Sequence, residues 1–145
     1  MNKDLSNIKK SKILLDKGEC VVIPTETVYG LAANAYSDKA TSKIYKLKKR
    51  PKSNPLIVHY ASLKMLKNDC DINKNFKYLY KKFSPGPITF ILKLKKNSNI
   101  SKNVTNYNRT LAVRFPKHLL ARRLLKKSTI LLPLLAPIFL LILVL

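Results

Sequence analysis

Acidic residues are scarce in this sequence, and its second half has none. The 145-residue chain carries 29 lysine and arginine residues against 7 aspartate and glutamate residues, which gives a formal net charge of +22. No carboxylate side chain follows Asp71. A catalytic carboxylate pair or an acidic metal cage is therefore excluded from the second half. Near the polar motifs at 24–35 and 48–59, which are described below, the candidate acidic residues are Glu26 and Asp38.

Cysteine and histidine are also few, with two of each. Cys20 and Cys70 form no C-x-x-C pair, so we expect reduced thiols and a cytoplasmic chain. Segment 1–17 is too charged to contain the apolar stretch of a secretory signal. His59 has no second histidine at the spacing of metal ligands, and we predict no protein metal site. The sequence also shows no Ser-His-Asp or Cys-His arrangement that would indicate a covalent nucleophile.

The positive charge has two explanations, which the composition does not separate. A strongly basic chain ordinarily binds nucleic acid or an anionic surface. Here, however, lysines number 24 and arginines only 5, and asparagine is abundant. Such a composition is also produced by nucleotide bias in the coding DNA.

Alternating apolar patterns predict one α/β domain, with a twisted mixed sheet and flanking helices. We expect Gly18 to end the first helix, Ser37 or Asp38 to begin the second, and Gly30 to form a tight turn. Residues 95–108 are predicted to be a polar loop. The predicted helices span 5–17, 38–49, 63–66, 73–82 and 117–127, and the predicted strands span 19–23, 56–60, 88–94 and 110–115.

Small polar residues follow the first predicted strand. Pro24 ends the apolar run Cys20–Ile23, and Thr25, Glu26 and Thr27 come next. Ligand crevices of α/β sheets lie at strand ends, so these side chains are candidates for a binding site. A turn held by its own hydrogen bonds is the alternative.

Two basic residues and an asparagine surround the end of the second predicted helix. Arg50 offers a planar fork and Lys48 a mobile charge, so together they could hold a triphosphate, with Asn54 adding directional hydrogen bonds. A solvated basic helix end is the alternative. His59, at the end of the following strand, is either a ligand contact or a structural hydrogen-bonding residue.

Four blocks of sequence follow one another along the chain: PTETVYGLAANA at 24–35, KKRPKSNPLIVH at 48–59, FSPGPITFILK at 83–93 and LAVRFPKH at 111–118. In this order they resemble the YrdC-like family, the threonylcarbamoyl-AMP synthases. The resemblance covers roughly residues 5–137. It implies a YrdC-like fold and ATP-dependent synthesis of L-threonylcarbamoyl-AMP from L-threonine and bicarbonate, with release of pyrophosphate. The product would serve threonylcarbamoyladenosine modification of tRNA.

The resemblance also implies roles for individual residues. Lys48 and Arg50 would be the catalytic groups that offset phosphate charge. ATP would be a substrate, Mg²⁺ is expected to assist, and tRNA and other tRNA-modification proteins are the implied partners. The implied ATP-binding residues are Lys48, Arg50, Asn54 and Thr110, and the implied threonine-binding residues are Thr27, His59 and Arg114.

The sequence departs from the family pattern after Ala136-Pro137. A Ser-x-Asn element is expected there, but the apolar segment 138–145 follows instead. A truncated or frameshifted copy that lacks part of the site, and is doubtful as an enzyme, is one explanation. Segment 130–145 is also a short apolar tail. As a helix it would be about 24 Å long, whereas the hydrocarbon core of a membrane is about 30 Å thick, so we expect the tail to be too short to span a membrane. A noncatalytic basic protein that binds RNA or a membrane surface is the alternative function.

Overall fold

Helices and strands alternate along the chain, as the apolar pattern predicts. The computed structural model describes residues 3–25, 29–128, 130–132 and 142–144, with the backbone alone at 3, 4, 130–132 and 142–144. The helices are α1 (Lys3–Asp16), α2 (Asp38–Lys48), α3 (Leu63–Asp69), α4 (Lys74–Phe83), α5 (Lys102–Thr105) and α6 (Leu119–Leu125). The strands are β1 (Val21–Pro24), β2 (Tyr29–Asn34), β3 (Ile57–His59), β4 (Thr89–Lys93), β5 (Thr110–Arg114), β6 (Ile130–Leu132) and β7 (Ile142–Val144).

The described strands form one mixed sheet in the order β1-β2-β6-β3-β5-β4-β7. Strand β3 is parallel to β5 and β4 is parallel to β7, whereas the other neighbouring pairs are antiparallel. The prediction of an α/β fold with a mixed sheet and flanking helices is confirmed. No helix in the described part of the chain is long and apolar enough to cross a membrane.

Side chains that alternate along the strands pack into two separate hydrophobic cores. In the larger core, Val58, Val113 and Phe90 of β3, β5 and β4 pack with apolar side chains of α2 to α5. The smaller core joins α1 and α6 to β1 and β2. Neighbours Ala32 and Ala33 are both fully buried but belong to different cores, because successive residues of a strand point to opposite faces.

A buried carboxylate ties together parts of the chain distant in sequence. Asp69, at the end of α3, is 2% exposed. Its Oδ2 accepts hydrogen bonds from the hydroxyls of Tyr36 and Tyr60, both at 2.8 Å, and its Oδ1 accepts one from Ser98 at 2.7 Å. These bonds replace the water that the carboxylate gives up on burial.

Local signals placed most helix ends correctly. Gly18 follows α1 with a φ of +75°, a conformation that glycine adopts without strain. The side chain of Ser37, and not that of Asp38, caps α2 by accepting a hydrogen bond from the Ala40 amide at 3.2 Å. The predicted tight turn at Gly30 is wrong, because this residue lies within β2, paired with Ile23 of β1.

Other differences involve short elements. The predicted loop 95–108 contains α5, and the predicted helix 117–127 shortens to α6. Strand β2 was not predicted at all. Of the apolar tail 130–145, residues 130–132 form β6 beside β3 and residues 142–144 form β7 beside β4, whereas 133–141 and 145 lie outside the described residues.

Candidate functional site

Three polar side chains form a row across neighbouring strands. His59 of β3 is paired in register with Arg114 of β5, and Arg114 is paired with Thr89 of β4. Residues paired in this way share one face of a sheet. The residues next to them in sequence, Val58, Val113 and Phe90, point into the larger core on the other face. The row also lies at the carboxyl ends of the parallel pair β3 and β5, where α/β sheets bind ligands.

Thr89 holds the guanidinium group of Arg114. The Nε and Nη2 atoms of Arg114 donate hydrogen bonds to the Thr89 hydroxyl at 3.2 and 3.0 Å. Both residues are buried, at 6% and 1% exposure. Burial of a guanidinium requires such partners, and the two bonds fix the orientation of its planar fork. Arg114 is thus presented as a rigid positive group.

His59 is the most unusual member of the row. It is 1% exposed, and its Nδ1 has no hydrogen-bond partner among the described residues. Burial, together with the positive charge of Arg114, lowers the pKa of His59 to about 3. The imidazole is therefore neutral at neutral pH and has one ring nitrogen able to accept a hydrogen bond.

A tightly closed loop links α2 to β3. Arg50 donates from Nε to the Asn54 carbonyl at 3.4 Å and from Nη2 to the Pro55 carbonyl at 3.1 Å. The Tyr45 hydroxyl also donates to the Asn54 carbonyl, at 2.9 Å, and burial raises its pKa, which keeps it protonated as a donor. Lys48 is the last residue of α2 and is half-buried. The loop thus brings Arg50 and Asn54 together, with the Asn54 side chain exposed.

Two of the candidate residues, Thr110 for the nucleotide and Arg114 for threonine, lie at opposite ends of β5. Thr110 begins β5 on the face that carries Arg114, about 13 Å away along the strand. The loop of Arg50 and Asn54 enters β3 at Ile57, which pairs with Ala112 near the Thr110 end. Thr110 and Arg114 therefore mark the two ends of one face of β5. Thr27 lies outside the described residues.

A positively charged cleft of about 470 Å³ opens beside α2. Of its cations, Lys43 is paired with Glu19 at 2.6 Å. The cleft has the charge to receive anionic groups such as phosphates. Among the described residues, no three His, Cys, Asp or Glu side chains are grouped to hold a metal ion. The cleft is lined by Lys39, Ser42, Lys43, Tyr45, Lys46, Arg50 and Lys52.

Sequence reasoning singled out His59 and Arg114 but missed Thr89. A threonine inside an apolar strand is common, because β-branched residues suit strands. The role of Thr89 can be recognised only from the register of β4 and β5, which places it beside Arg114. A threonine and an arginine at matching positions of two adjacent predicted strands would have been the signal.

Comparisons with known proteins identify relatives along most of the chain. The model of the Sua5/yciO/yrdC family, described as "Telomere recombination", matches residues 13–137. Threonylcarbamoyl-AMP synthase of Bacillus subtilis (strain 168) is 44% identical over 131 residues, which are 90% of this chain and 37% of that protein. The Pyrococcus abyssi protein of the same name is 41% identical over 113 residues, which are 77% of this chain and 33% of that protein.

A solved structure has the same fold. The crystal structure of P. abyssi Sua5 complexed with L-threonine matches with a TM-score of 0.83 at 36% sequence identity. The match covers 88% of this chain and 38% of that one. The chain thus spans about a third of the length of these curated relatives.

Proposed function

Because the chain belongs to the Sua5/YciO/YrdC family, we propose that it catalyses the reaction after which its curated relatives are named. In this reaction L-threonine, bicarbonate and ATP give L-threonylcarbamoyl-AMP and pyrophosphate. The product would supply threonylcarbamoyladenosine modification of tRNA. The observation that carries the proposal is the buried row of His59, Arg114 and Thr89.

The row has the chemistry to bind an amino acid. The guanidinium fork of Arg114 matches a carboxylate, and Thr89 already fixes its orientation. Neutral His59 can accept a hydrogen bond at Nδ1 from the amine or hydroxyl of threonine. Because the site is buried, a charge pair formed there is stronger than one formed in water. Thr27 would complete this half of the site.

The nucleotide half would use the opposite end of the strands. Lys48 and Arg50 would offset the charge of the triphosphate, with Asn54 and Thr110 adding hydrogen bonds. The hydrogen bonds of Arg50 to its own loop position it before ATP arrives. The described residues offer no acidic cage, so they fit Mg²⁺ that arrives with ATP, held chiefly by phosphate oxygens and water. Bound there, Mg²⁺ would further neutralise phosphate charge.

The reaction needs no covalent attachment to the protein. The amine of threonine attacks bicarbonate to form a carbamate, with loss of water. An oxygen of the carbamate then attacks the α-phosphorus of ATP, and the bond to pyrophosphate breaks. The protein contributes by holding the reactants together and by neutralising charge. The separation of the two halves of the site along β3 and β5 suits this sequence of steps.

Calorimetry of the two ligands would test the proposal. Arg114→Lys keeps the charge but loses the fork, and it should weaken threonine binding by about 10- to 100-fold, since charged hydrogen bonds contribute about 1.5–3 kcal/mol each. ATP binding should change much less. Lys48→Ala and Arg50→Ala should weaken ATP binding and spare threonine binding. Arg123→Ala, on the exposed side of α6, is the matched control.

Activity is measured separately on the same proteins. Pyrophosphate release that requires both threonine and bicarbonate would support the proposal. Threonine binding that does not change in Arg114→Lys, or ATP binding that does not change in Lys48→Ala or in Arg50→Ala, would contradict the assignment of these residues. Equal loss of both ligands, accompanied by a changed circular dichroism spectrum, would indicate disrupted folding and would contradict separate binding roles.

A further inference from the structure

Tyr60 connects the row of His59 and Arg114 to a buried carboxylate, that of Asp69. It follows His59 at the end of β3, and its backbone amide donates a hydrogen bond to the Arg114 carbonyl at 3.0 Å. Because the paired residues of β3 and β5 end with His59 and Arg114, this bond lies just beyond the last pair. The backbone of Tyr60 therefore joins the ends of the two strands that carry the row.

The side chain of Tyr60 points to the opposite face of the sheet, into the larger core. It is 0% exposed, and its ring centroid lies 6.3 Å from that of Phe115, the residue after Arg114. Its hydroxyl donates a hydrogen bond to Asp69 Oδ2 at 2.8 Å. Burial, together with the neighbouring Asp69, raises the pKa of Tyr60, so the hydroxyl stays protonated as a donor. Tyr60 thus contacts Arg114 through its backbone, Phe115 through its ring and Asp69 through its hydroxyl.

Asp69 is itself held at several points. Its Oδ2 also accepts a hydrogen bond from the Tyr36 hydroxyl at 2.8 Å, and its Oδ1 accepts one from the Ser98 hydroxyl at 2.7 Å. Its backbone carbonyl accepts a hydrogen bond from the Lys95 amide at 2.8 Å. Burial of a carboxylate has a cost that these bonds must first offset. What such a fully bonded group adds is a fixed geometry for its partners, and Tyr60 is the partner next to His59.

We propose that Asp69 and Tyr60 form a positioning pair, which holds His59 and Arg114 in the arrangement that binds threonine. This inference rests on the proposed function, because threonine is the ligand assigned to the row. Tyr60 would not touch the ligand, because its side chain lies on the face opposite to the row. Its bond to Asp69 would fix its ring, and its amide would fix the backbone of Arg114. Thr89 fixes the guanidinium group of the same arginine from the β4 side.

Two tyrosines that bond to the same oxygen atom give a matched comparison. Tyr60→Phe and Tyr36→Phe each remove one hydroxyl donor from Asp69 Oδ2, but Tyr60 follows β3, which ends at His59, whereas Tyr36 follows β2. In calorimetry of the full chain, Tyr60→Phe should weaken threonine binding by about 3- to 30-fold, as expected for substitutions in a packed network that reaches a binding site. ATP binding should not change. Tyr36→Phe should leave the affinity for both ligands unchanged.

Amide hydrogen exchange tests the positioning without any ligand. Tyr60→Phe keeps the amide of residue 60, and its exchange rate reports how often the bond to the Arg114 carbonyl opens. The amide of Ala32, in the smaller core, is the internal reference for global unfolding. The ratio of the two rates, measured by nuclear magnetic resonance, should rise by about 5-fold or more in Tyr60→Phe, the effect of losing one hydrogen bond. In Tyr36→Phe the ratio should stay unchanged.

A double variant tests whether the two residues act together. If Asp69 acts through Tyr60, Asp69→Asn should weaken threonine binding, and Tyr60→Phe/Asp69→Asn should bind threonine no more weakly than the weaker of the two single variants. Independent contributions would instead multiply in the double variant.

Three outcomes would overturn the positioning pair. The first is an unchanged ratio of exchange rates in Tyr60→Phe. The second is an equal loss of threonine affinity in Tyr36→Phe, which would indicate a general loosening around Asp69. The third is a double variant in which the two losses multiply. An unaltered chain that binds no threonine would contradict the proposed function, and the exchange ratio would then decide by itself whether Asp69 and Tyr60 hold the ends of β3 and β5.

Discussion

The buried histidine predicts a specific loss of stability in acid. His59 has a pKa of about 3 in the folded chain, against about 6.5 for an ordinary histidine. Between these values the unfolded chain binds a proton that the folded chain does not bind. The free energy of unfolding therefore has its full value above pH 6.5 and falls as the pH drops toward 3. From about pH 7 to about pH 4.5, His59 alone should remove about 2.5 kcal/mol.

Urea unfolding at several pH values would measure this loss. Far-UV circular dichroism is the suitable signal, because the chain has no tryptophan. His59→Gln removes the titrating group, so the difference in free energy of unfolding between the two proteins should change with pH by the same amount. The substitution itself also changes the free energy of unfolding, but that change does not depend on pH. His118→Gln is the control.

Nuclear magnetic resonance would test the same reasoning directly. The chain contains two histidines, so the spectrum of His59→Gln identifies the ring signal of His59 by its absence. This signal should not titrate above about pH 4.5. A ring signal that titrates near 6.5, or a pH-dependent difference in stability below about 1 kcal/mol, would refute the argument from burial.

Three further substitutions test the packing around the site and the core. Thr89→Val removes the acceptor of two Arg114 hydrogen bonds while keeping the side-chain shape, and should lower stability by about 1–3 kcal/mol in urea unfolding and weaken threonine binding in calorimetry. Asp69→Ala leaves three hydroxyl donors without their acceptor and should cost about 2–5 kcal/mol, a larger loss than in Asp69→Asn. Gly18→Ala, at a φ of +75°, should lower the unfolding midpoint by an amount equivalent to about 1 kcal/mol.

Elements whose limits depend on nearby residues could be predicted from the sequence. The Ser37 side chain bonds to an amide three residues ahead, so its role is visible without any knowledge of the fold. The end of α1 at Gly18 is equally local. Strand β5 was predicted within one residue of its limits, because Leu111 and Val113 recur at the two-residue period of a strand.

Short elements that depend on distant partners were not predicted. Strand β2 contains Gly30 and two alanines, which have low strand propensity, and it exists because β1 and β6 pair with its two edges. Helix α5 is four residues long, too short to show an apolar period. The sequence also could not show that Thr89 meets Arg114, since that contact requires the pairing of β4 with β5.

The register of β5 connects the core to the candidate site. Val113 packs into the larger core, and the next residue, Arg114, points to the opposite face toward Thr89. A shift of one residue would place the arginine in the apolar core and the valine in the row of His59 and Thr89, so the burial of Val113 stabilises the position of Arg114. Val113→Ala should therefore lower stability while leaving the orientation of Arg114 intact, because the ladder with β3 and β4 still fixes the register. Retained threonine affinity in a less stable Val113→Ala protein would support this coupling. Lost affinity in a protein of unchanged stability would contradict it.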